Sequence, residues 1–332
     1  VIPLVSAPVR KPAVLRRALR PLFTRDPAFL DPVMARFTLD GDWQRDRVRT
    51  IGRSFLVGYN AAATAESLAE VHTAVSEVPR FYRPFAYEGA GMGFGPWSYL
   101  HGVALPEFAD HLDELTPATL YQNYVGLGWW LGMVAARRPR AIAACTARLD
   151  HRYRLLPYEG LGFRVGFLNA GSRARTAAFA RHGEDGSHVC HQGFGRSLWF
   201  VHMGDIGQAL TTIQRLGTDH RGDCVSGLGL GCAYSWLDAP HGFDTVLAQV
   251  PAELRPDFAQ GAAFGWEARQ LADRPLFDEQ LAAAGPEHRR RVLDAVRVVH
   301  EVRDDLVRRD QREAFYQHWR HGTRARVGQL IS

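Results

Sequence analysis

One short pattern recurs along this chain and limits what it can fold into. It is a pair of glycines one residue apart, seen most fully as Tyr158-Glu159-Gly160-Leu161-Gly162-Phe163. Its relatives are Tyr87-Glu88-Gly89-Ala90-Gly91, Tyr124-Val125-Gly126-Leu127-Gly128, His191-Gln192-Gly193-Phe194-Gly195, Val225-Ser226-Gly227-Leu228-Gly229 and Ala259-Gln260-Gly261-Ala262-Ala263, with a weaker first copy at Thr50-Ile51-Gly52. The second small residue of each copy falls at positions 52, 91, 128, 162, 195, 229 and 263, in steps of 39, 37, 34, 33, 34 and 34. Periods of that size belong to helical-hairpin repeats.

The spacing has a physical reading. Residues two apart on a helix point to nearly opposite sides, because each residue turns the helix by about 100°. A helix with small residues on both sides can be approached closely by one neighbour before it and another after it. Each glycine costs about 0.5–1 kcal/mol of helix propensity, so packing has to hold such helices together. A phosphate-cradling loop needs a strand and then G-x-G-x-x-G. Here Gly160-Leu161-Gly162 is followed by Phe163-Arg164-Val165-Gly166, which places the third glycine one residue late.

The expected fold is therefore all-α: about seven helical hairpins of ~34 residues, each a glycine-paired helix and a second helix. Second helices are predicted over 65–78, 106–115, 139–149, 174–181, 205–216, 243–250 and 276–284, punctuated by proline or glycine such as Pro79, Pro117, Gly217 and Gly285-Pro286. Residues 1–40 read as an irregular and helical lead-in, with residues 1–15 irregular and a broken helix from Arg16. Residues 41–285 form the repeat domain, and residues 286–332 a basic capping helix region. Leu112–Ala136 aligns with Leu247–Leu271 at a shift of 135 residues, four repeats, which suggests an internal duplication. The array can be an open α-solenoid with a concave groove or a closed α/α toroid with a central cavity, and the sequence leaves both open.

With 332 residues, 46% of them hydrophobic, the chain can bury a large core. Its net charge of +5 is carried almost wholly by arginines interspersed with acids, so nucleic-acid binding is not called for. No run approaches the ~18 apolar residues of a membrane span. The four cysteines, Cys145, Cys190, Cys224 and Cys232, form no C-x-x-C and read as reduced thiols in a cytoplasm.

The register just before each glycine pair holds Glu88, Val125, Glu159, Gln192, Ser226 and Gln260. If that register faces a shared cavity, Glu88 and Glu159 become acid/base candidates, with Arg196 beside the following pair as an anion or ion-pair partner. The bland alternative is that these side chains hydrogen-bond neighbouring helices. Tyr87, Trp129, Tyr158, Phe163, Gln192, Trp199, Gln260 and Trp266 are the candidate lining for an apolar ligand, although packing between helices accounts for aromatics equally. His182, His188, Cys190 and His191 cluster in sequence without a zinc spacing, so no metal and no cofactor is expected. Asp304-Asp305 with Asp310 has the look of a diphosphate–magnesium motif, against nearby arginines that would simply pair with the acids.

Several stretches together carry a family resemblance. They are Tyr87-Glu88-Gly89-Ala90-Gly91-Met92-Gly93, Val125-Gly126-Leu127-Gly128-Trp129, Tyr158–Phe163 and above all Gln192-Gly193-Phe194-Gly195-Arg196-Ser197-Leu198-Trp199-Phe200. They resemble an actinobacterial domain-of-unknown-function family found in gene clusters for enediyne polyketides and other specialised metabolites. The likeness spans most of residues 15–320. It implies work on an apolar, polyene-like intermediate, assisting cyclisation or tailoring without a cofactor. Two other readings stand beside it: a non-catalytic helical-repeat scaffold for biosynthetic enzymes or an unstable intermediate, and a terpene-cyclase-like enzyme that Asp304-Asp305 would have to support. Expected partners are the small apolar metabolite, other biosynthetic enzymes and, at an open solenoid end, a second copy in a homodimer.

Overall fold

The computed structural model describes residues 6–39, 41–107, 117–169, 173–216 and 219–331, and every regular element among them is helical. The chain opens with α1 (Ala13–Phe23), a 3-10 turn over Pro27–Leu30 and the short α2 (Asp31–Met34). Helix α1 starts three residues before the expected Arg16. Pro12, immediately before it, sets an extended entry and lacks the N–H that the first turn would leave unpaired.

Then come α3 (Asp42–Thr64), α4 (Leu68–Ser76), α5 (Arg83–His101), α6 (Leu120–Val134), α7 (Pro139–Thr146) and α8 (Leu156–Asn169). After these follow α9 (Arg173–Ala177), α10 (Gly183–Val201), α11 (Ile206–Leu216), α12 (Arg221–Ser235), α13 (Pro240–Gln249), α14 (Arg255–Ala272) and α15 (Arg274–Ala283). Helices α16 (Pro286–Arg308) and α17 (Phe315–Ile331) close the chain. Glycine-paired helices thus alternate with shorter connecting ones, as the repeat predicts. Most of the second helix expected over 106–115 lies outside the described residues, as does the stop at Gly217.

Local signals start and stop these elements. Proline occupies the first turn of α5, α7, α13, α14, α15 and α16. Asp273 caps α15 by accepting from the Leu276 N–H at 3.0 Å, and Ser67 caps α4. Gly102 ends α5 in the left-handed region, at φ 76°. The tail is two helices rather than one cap. The break between them carries Asp310 and Ala314 at φ 49° and 47°, a local strain that the sequence does not advertise.

The chain divides into two compact units, one of residues 1–37 with 45–161, the other of 38–44 with 162–332. The stretch expected as one repeat domain is thus shared between them, and the division falls within α8. In the first unit, α3, α5, α6 and the start of α8 stack in order. A β-carbon added at Gly126 would lie 2.0 Å from the Glu88 carbonyl oxygen, and one at Gly91 would lie 2.3 Å from that of Asn123. Gly160 meets Val125, and Gly128 meets Pro157, in the same way at 1.9 Å. In the second unit the end of α8, α10, α12 and α14 repeat the arrangement. Gly162 faces the Cys190 carbonyl, Gly195 that of Cys224, Gly227 that of Gln192 and Gly229 that of Phe258.

Each helix therefore offers one glycine backwards and one forwards, and backbones meet where side chains would otherwise stand. Such approaches suit Cα–H···O=C contacts worth about 0.5–1 kcal/mol each. The large buried aromatics fill the space on either side of these seams, among them Phe94, Trp130, Phe194, Trp199, Phe258 and Trp266.

Candidate functional site

In the second unit the first turns of α12 and α14, the second turn of α10 and the middle of α17 converge on a cleft of about 240 Å³. Its lining is polar: His188 from α10, Asp219, Gly222 and Asp223 at the start of α12, Asp257 and Gln260 of α14, and Arg320, His321 and Arg324 of α17. The repeat explains the convergence. Asp223 and Asp257 are 34 residues apart, as are Ser226 and Gln260, so equivalent turns of neighbouring helices bring them side by side. Arg320 and Arg324 share one face of α17 at a spacing of four.

Asp223 is the electrostatic centre. Its Oδ2 lies 2.7 Å from His188 Nδ1 and 3.0 Å from His220 Nδ1, while Oδ1 accepts from Arg320 Nη2 at 2.7 Å. Burial alone would raise its carboxyl, but the two imidazole hydrogen bonds and the Arg320 guanidinium hold it well below the usual carboxylate range. In return, the hydrogen bond to Asp223 raises His188. His191 stacks on His220 with ring centroids 3.9 Å apart, and burial followed by the His220 charge lowers it to about 4. Burial lowers His321 as well. Across the cleft Asp257 takes both Nε and Nη2 of Arg324, a two-pronged grip that fixes its plane.

Behind the cleft runs a buried polar ladder. Tyr316 donates its hydroxyl to Gln192 Oε1 at 3.2 Å, Gln192 Nε2 donates to Ser226 Oγ at 3.3 Å, and Ser226 donates to Gln260 Oε1 at 2.7 Å. The rungs at 192, 226 and 260 are the register before the glycine pair, one residue from each helix. Gln260 lines the cleft and is 2% exposed, and its Nε2 has no hydrogen-bond partner among the described residues.

The candidate residues read from the sequence are all buried, in several different surroundings. Glu88 accepts from Trp129 Nε1 at 3.3 Å, with Trp129 also against Phe55. Glu159 is 3% exposed on α8. Tyr87 meets His72 Nδ1 at 2.8 Å, and Tyr158 meets Thr146 Oγ1 at 3.3 Å, so both hydroxyls reach neighbouring helical segments. Arg196 lays its guanidinium 4.2 Å from the Phe163 ring centre, and Phe163 packs on Phe167 and Phe200. Trp199 donates to Ser235 and sits edge-on to Trp236, while Trp266 packs against Phe243. Of the predicted set, Gln260 lines the cleft and Gln192 joins it through Ser226. Asp304 meets Arg303, and Asp305 meets Arg308 and Arg309, along α16, a string of helix-face ion pairs.

Sequence reasoning missed His220, Asp223, Asp257, Arg320, His321 and Arg324. The signal was present for two of them. His188 looked partnerless because ligands were sought along its own helix, whereas one repeat further on stand His220 and Asp223, themselves three apart. Nothing in the sequence tied α17 to this cluster.

A family model matches residues 14–327, nearly the whole chain. The chain belongs to the DUF1702 family. That family is described as protein of unknown function. No curated protein and no solved structure matches this DUF1702 chain. Among its described residues no helix is long and apolar enough to cross a membrane.

Proposed function

We propose that this DUF1702 protein is a specialised-metabolite biosynthesis enzyme that takes a polyketide-derived, largely apolar intermediate and holds its oxygen-bearing end in the polar cleft of the second unit. What carries the reading is Gln260. Gln260 is one of the residues lining the cleft, and its buried amide N–H₂ has no partner among the described residues, a costly state that an arriving acceptor oxygen would relieve. His321 and Arg324 flank the same space with further donors.

The chemistry that fits is proton transfer beside a carbonyl. Gln260 Nε2 and His321 would donate to the carbonyl oxygen, stabilising charge that develops there. Asp257 is the base: Arg324 takes one lone pair on each of its oxygens and fixes its plane, which leaves lone pairs for a substrate proton, whereas Asp223 accepts from three groups. It removes a proton from the adjacent carbon, the enolate carbon closes on a second carbonyl of the same molecule, and the proton returns to the new alkoxide. The resemblance of the glycine-pair stretches to proteins of enediyne and polyketide clusters supports the substrate class. The four cysteines are buried and form no disulfide, which suits a cytoplasmic setting.

A second reading keeps the reaction inside the helix array, at Glu88 and Glu159. The observation favouring it is the buried Glu88 carboxylate held by Trp129. Native mass spectrometry of protein purified from its producing host, followed by extraction, tests the main reading. A bound polyene or polycyclic carbonyl compound, lost from Arg324→Ala but kept by Glu88→Gln, supports the cleft. Retention by Arg324→Ala with loss from Glu88→Gln moves the site to the array, and a clean mass with only a co-purifying protein favours a scaffold.

A further inference from the structure

We propose that His188, His220 and Asp223 bind a divalent first-row transition ion, zinc or iron(II), at the wall of this cleft. The inference rests on the cleft being the reacting end of the molecule. Each of the three offers one ligand atom, and these lie within 4.8 Å of one another; His188 Nδ1 and His220 Nδ1 both approach Asp223 Oδ2, at 2.7 and 3.0 Å. Two imidazoles and one carboxylate form a donor set with positions left open for a ligand. Magnesium and calcium prefer all-oxygen surroundings, and this set is nitrogen-rich.

The geometry has the marks of a site held in advance. His188 stands on α10, and His220 with Asp223 on the entry to α12. Those two helices are locked backbone to backbone where Gly195 meets the Cys224 carbonyl and Gly227 meets that of Gln192. The separation of the ligands is therefore set by the array rather than by flexible side chains. Outer partners fix each ligand. Arg320 takes Asp223 Oδ1 and leaves Oδ2 turned toward both imidazoles, and Gln317 Oε1 in turn accepts from Arg320 at 3.1 Å. His191 lies flat on the His220 ring and donates its own Nδ1–H to the Ser187 carbonyl at 2.8 Å. Such second contacts orient ligands and sharpen affinity at metal centres. Cys190 and Cys224, close by in sequence, are buried and are not among the three candidate ligands.

With the ion in place, each imidazole binds through Nδ1 as a neutral ring carrying its hydrogen on Nε2. The contact between Nδ1 and Asp223 is then bridged by the metal instead of a proton. Gln260 and His321 line the same cleft as His188 and Asp223, so a substrate oxygen held there would have both the ion and these donors nearby.

The test uses the full chain, stripped with chelator and titrated with cobalt(II), whose visible absorption reports tetrahedral nitrogen–oxygen coordination. Zinc is then added to compete. The expected result is one saturable equivalent, displaced by zinc, with affinity lowered more than about tenfold in His188→Gln and in His220→Gln. His151→Gln, in the other unit, keeps the wild-type affinity. Circular dichroism and thermal melting check that the two cleft variants remain folded. Their histidines are about one-third exposed, so truncation there does not open the core. No saturable cobalt binding to the wild type, or binding that both cleft variants retain unchanged, overturns the site. If cobalt binds but no metabolite co-purifies, the ion site stands and the metabolite reading falls. If a metabolite is found and cobalt does not bind, the ion site falls alone.

Discussion

The Cα of Gly227 on α12 rests against the carbonyl oxygen of Gln192 on α10, so closely that a β-carbon there would sit 1.9 Å from it. Backbone cannot yield as a side chain can, so a methyl at this point must push the two helices apart along their whole seam. Gly227→Ala is expected to destabilise the fold by at least about 1–3 kcal/mol in chemical denaturation. Gly207→Ala is the contrast. Gly207 is exposed in the first turn of α11, and an added β-carbon meets nothing nearer than Asp205 Oδ1 at 3.4 Å. There the usual helix preference for alanine rules, and a gain of about 0.5–1 kcal/mol is expected. If both alanines behave alike, the glycine pairs are not the seams described above.

This relationship was the most legible part of the chain. The two-residue spacing placed one small residue on each side of a helix, and the period placed the next helix against it. Both follow from helix geometry alone, which is why the all-α array could be read from Gly160 and Gly162. What Glu88 or Gln192 touches was not legible in the same way. An equivalent register fixes a direction but not the partner, and partners at this register range from Trp129 to Ser226. The cleft was harder still. Arg320, His321 and Arg324, a third of its lining residues, come from α17, a helix outside the repeat, whose position beside α14 no internal period encodes. The tail's division into two helices at 310–314 depends on left-handed backbone at Asp310 and Ala314, neither of them a glycine.

The ladder behind the cleft makes a second prediction. Ser226 both accepts from Gln192 and donates to Gln260, and all three are buried. Ser226→Ala removes one hydroxyl and leaves an amide donor and an amide oxygen unpaired in the core. Such groups cost about 1–3 kcal/mol, more than the hydrogen bonds themselves contribute in net terms. Ser226→Thr, which keeps the hydroxyl, should lose less hydrogen bonding, although its extra methyl crowds the seam. Equilibrium unfolding separates them, and an alanine variant as stable as wild type would mean that the ladder carries no stabilising weight.

The cysteines should be silent in the native state. All four are buried and outside any disulfide, and burial pushes the Cys145 thiol up to about 12. A thiol that is neither ionised nor reachable does not attack an aromatic disulfide reagent. We expect no release from native protein over minutes and four equivalents after denaturation. A fast native equivalent would place at least one sulfur outside the core.

The last prediction concerns acid and the first unit. Arg16 Nη2 donates to Glu66 Oε2, and Arg20 Nη2 to Oε1, both at 2.7 Å, tying the inward face of α1 to the start of α4. The hydrogen bond from Arg16 does most to lower the Glu66 carboxyl; burial opposes it, and the charges of Arg16, Arg20 and His101 add to the lowering. A carboxyl lowered by folding binds protons more readily in the unfolded chain. Its contribution is therefore complete above the unfolded value, about 4.3, and is lost as pH falls through the lower folded value. Glu66 is one-third exposed, so solvent screens the pair and the contribution is at most about 1 kcal/mol. Glu66→Gln should be less stable than wild type at pH 7 and should converge with it at pH 2. The difference should also shrink in high salt, since Glu66 and Arg20 are about one-third exposed. An undiminished gap at pH 2 would assign the effect of the substitution to packing of α1 rather than to charge.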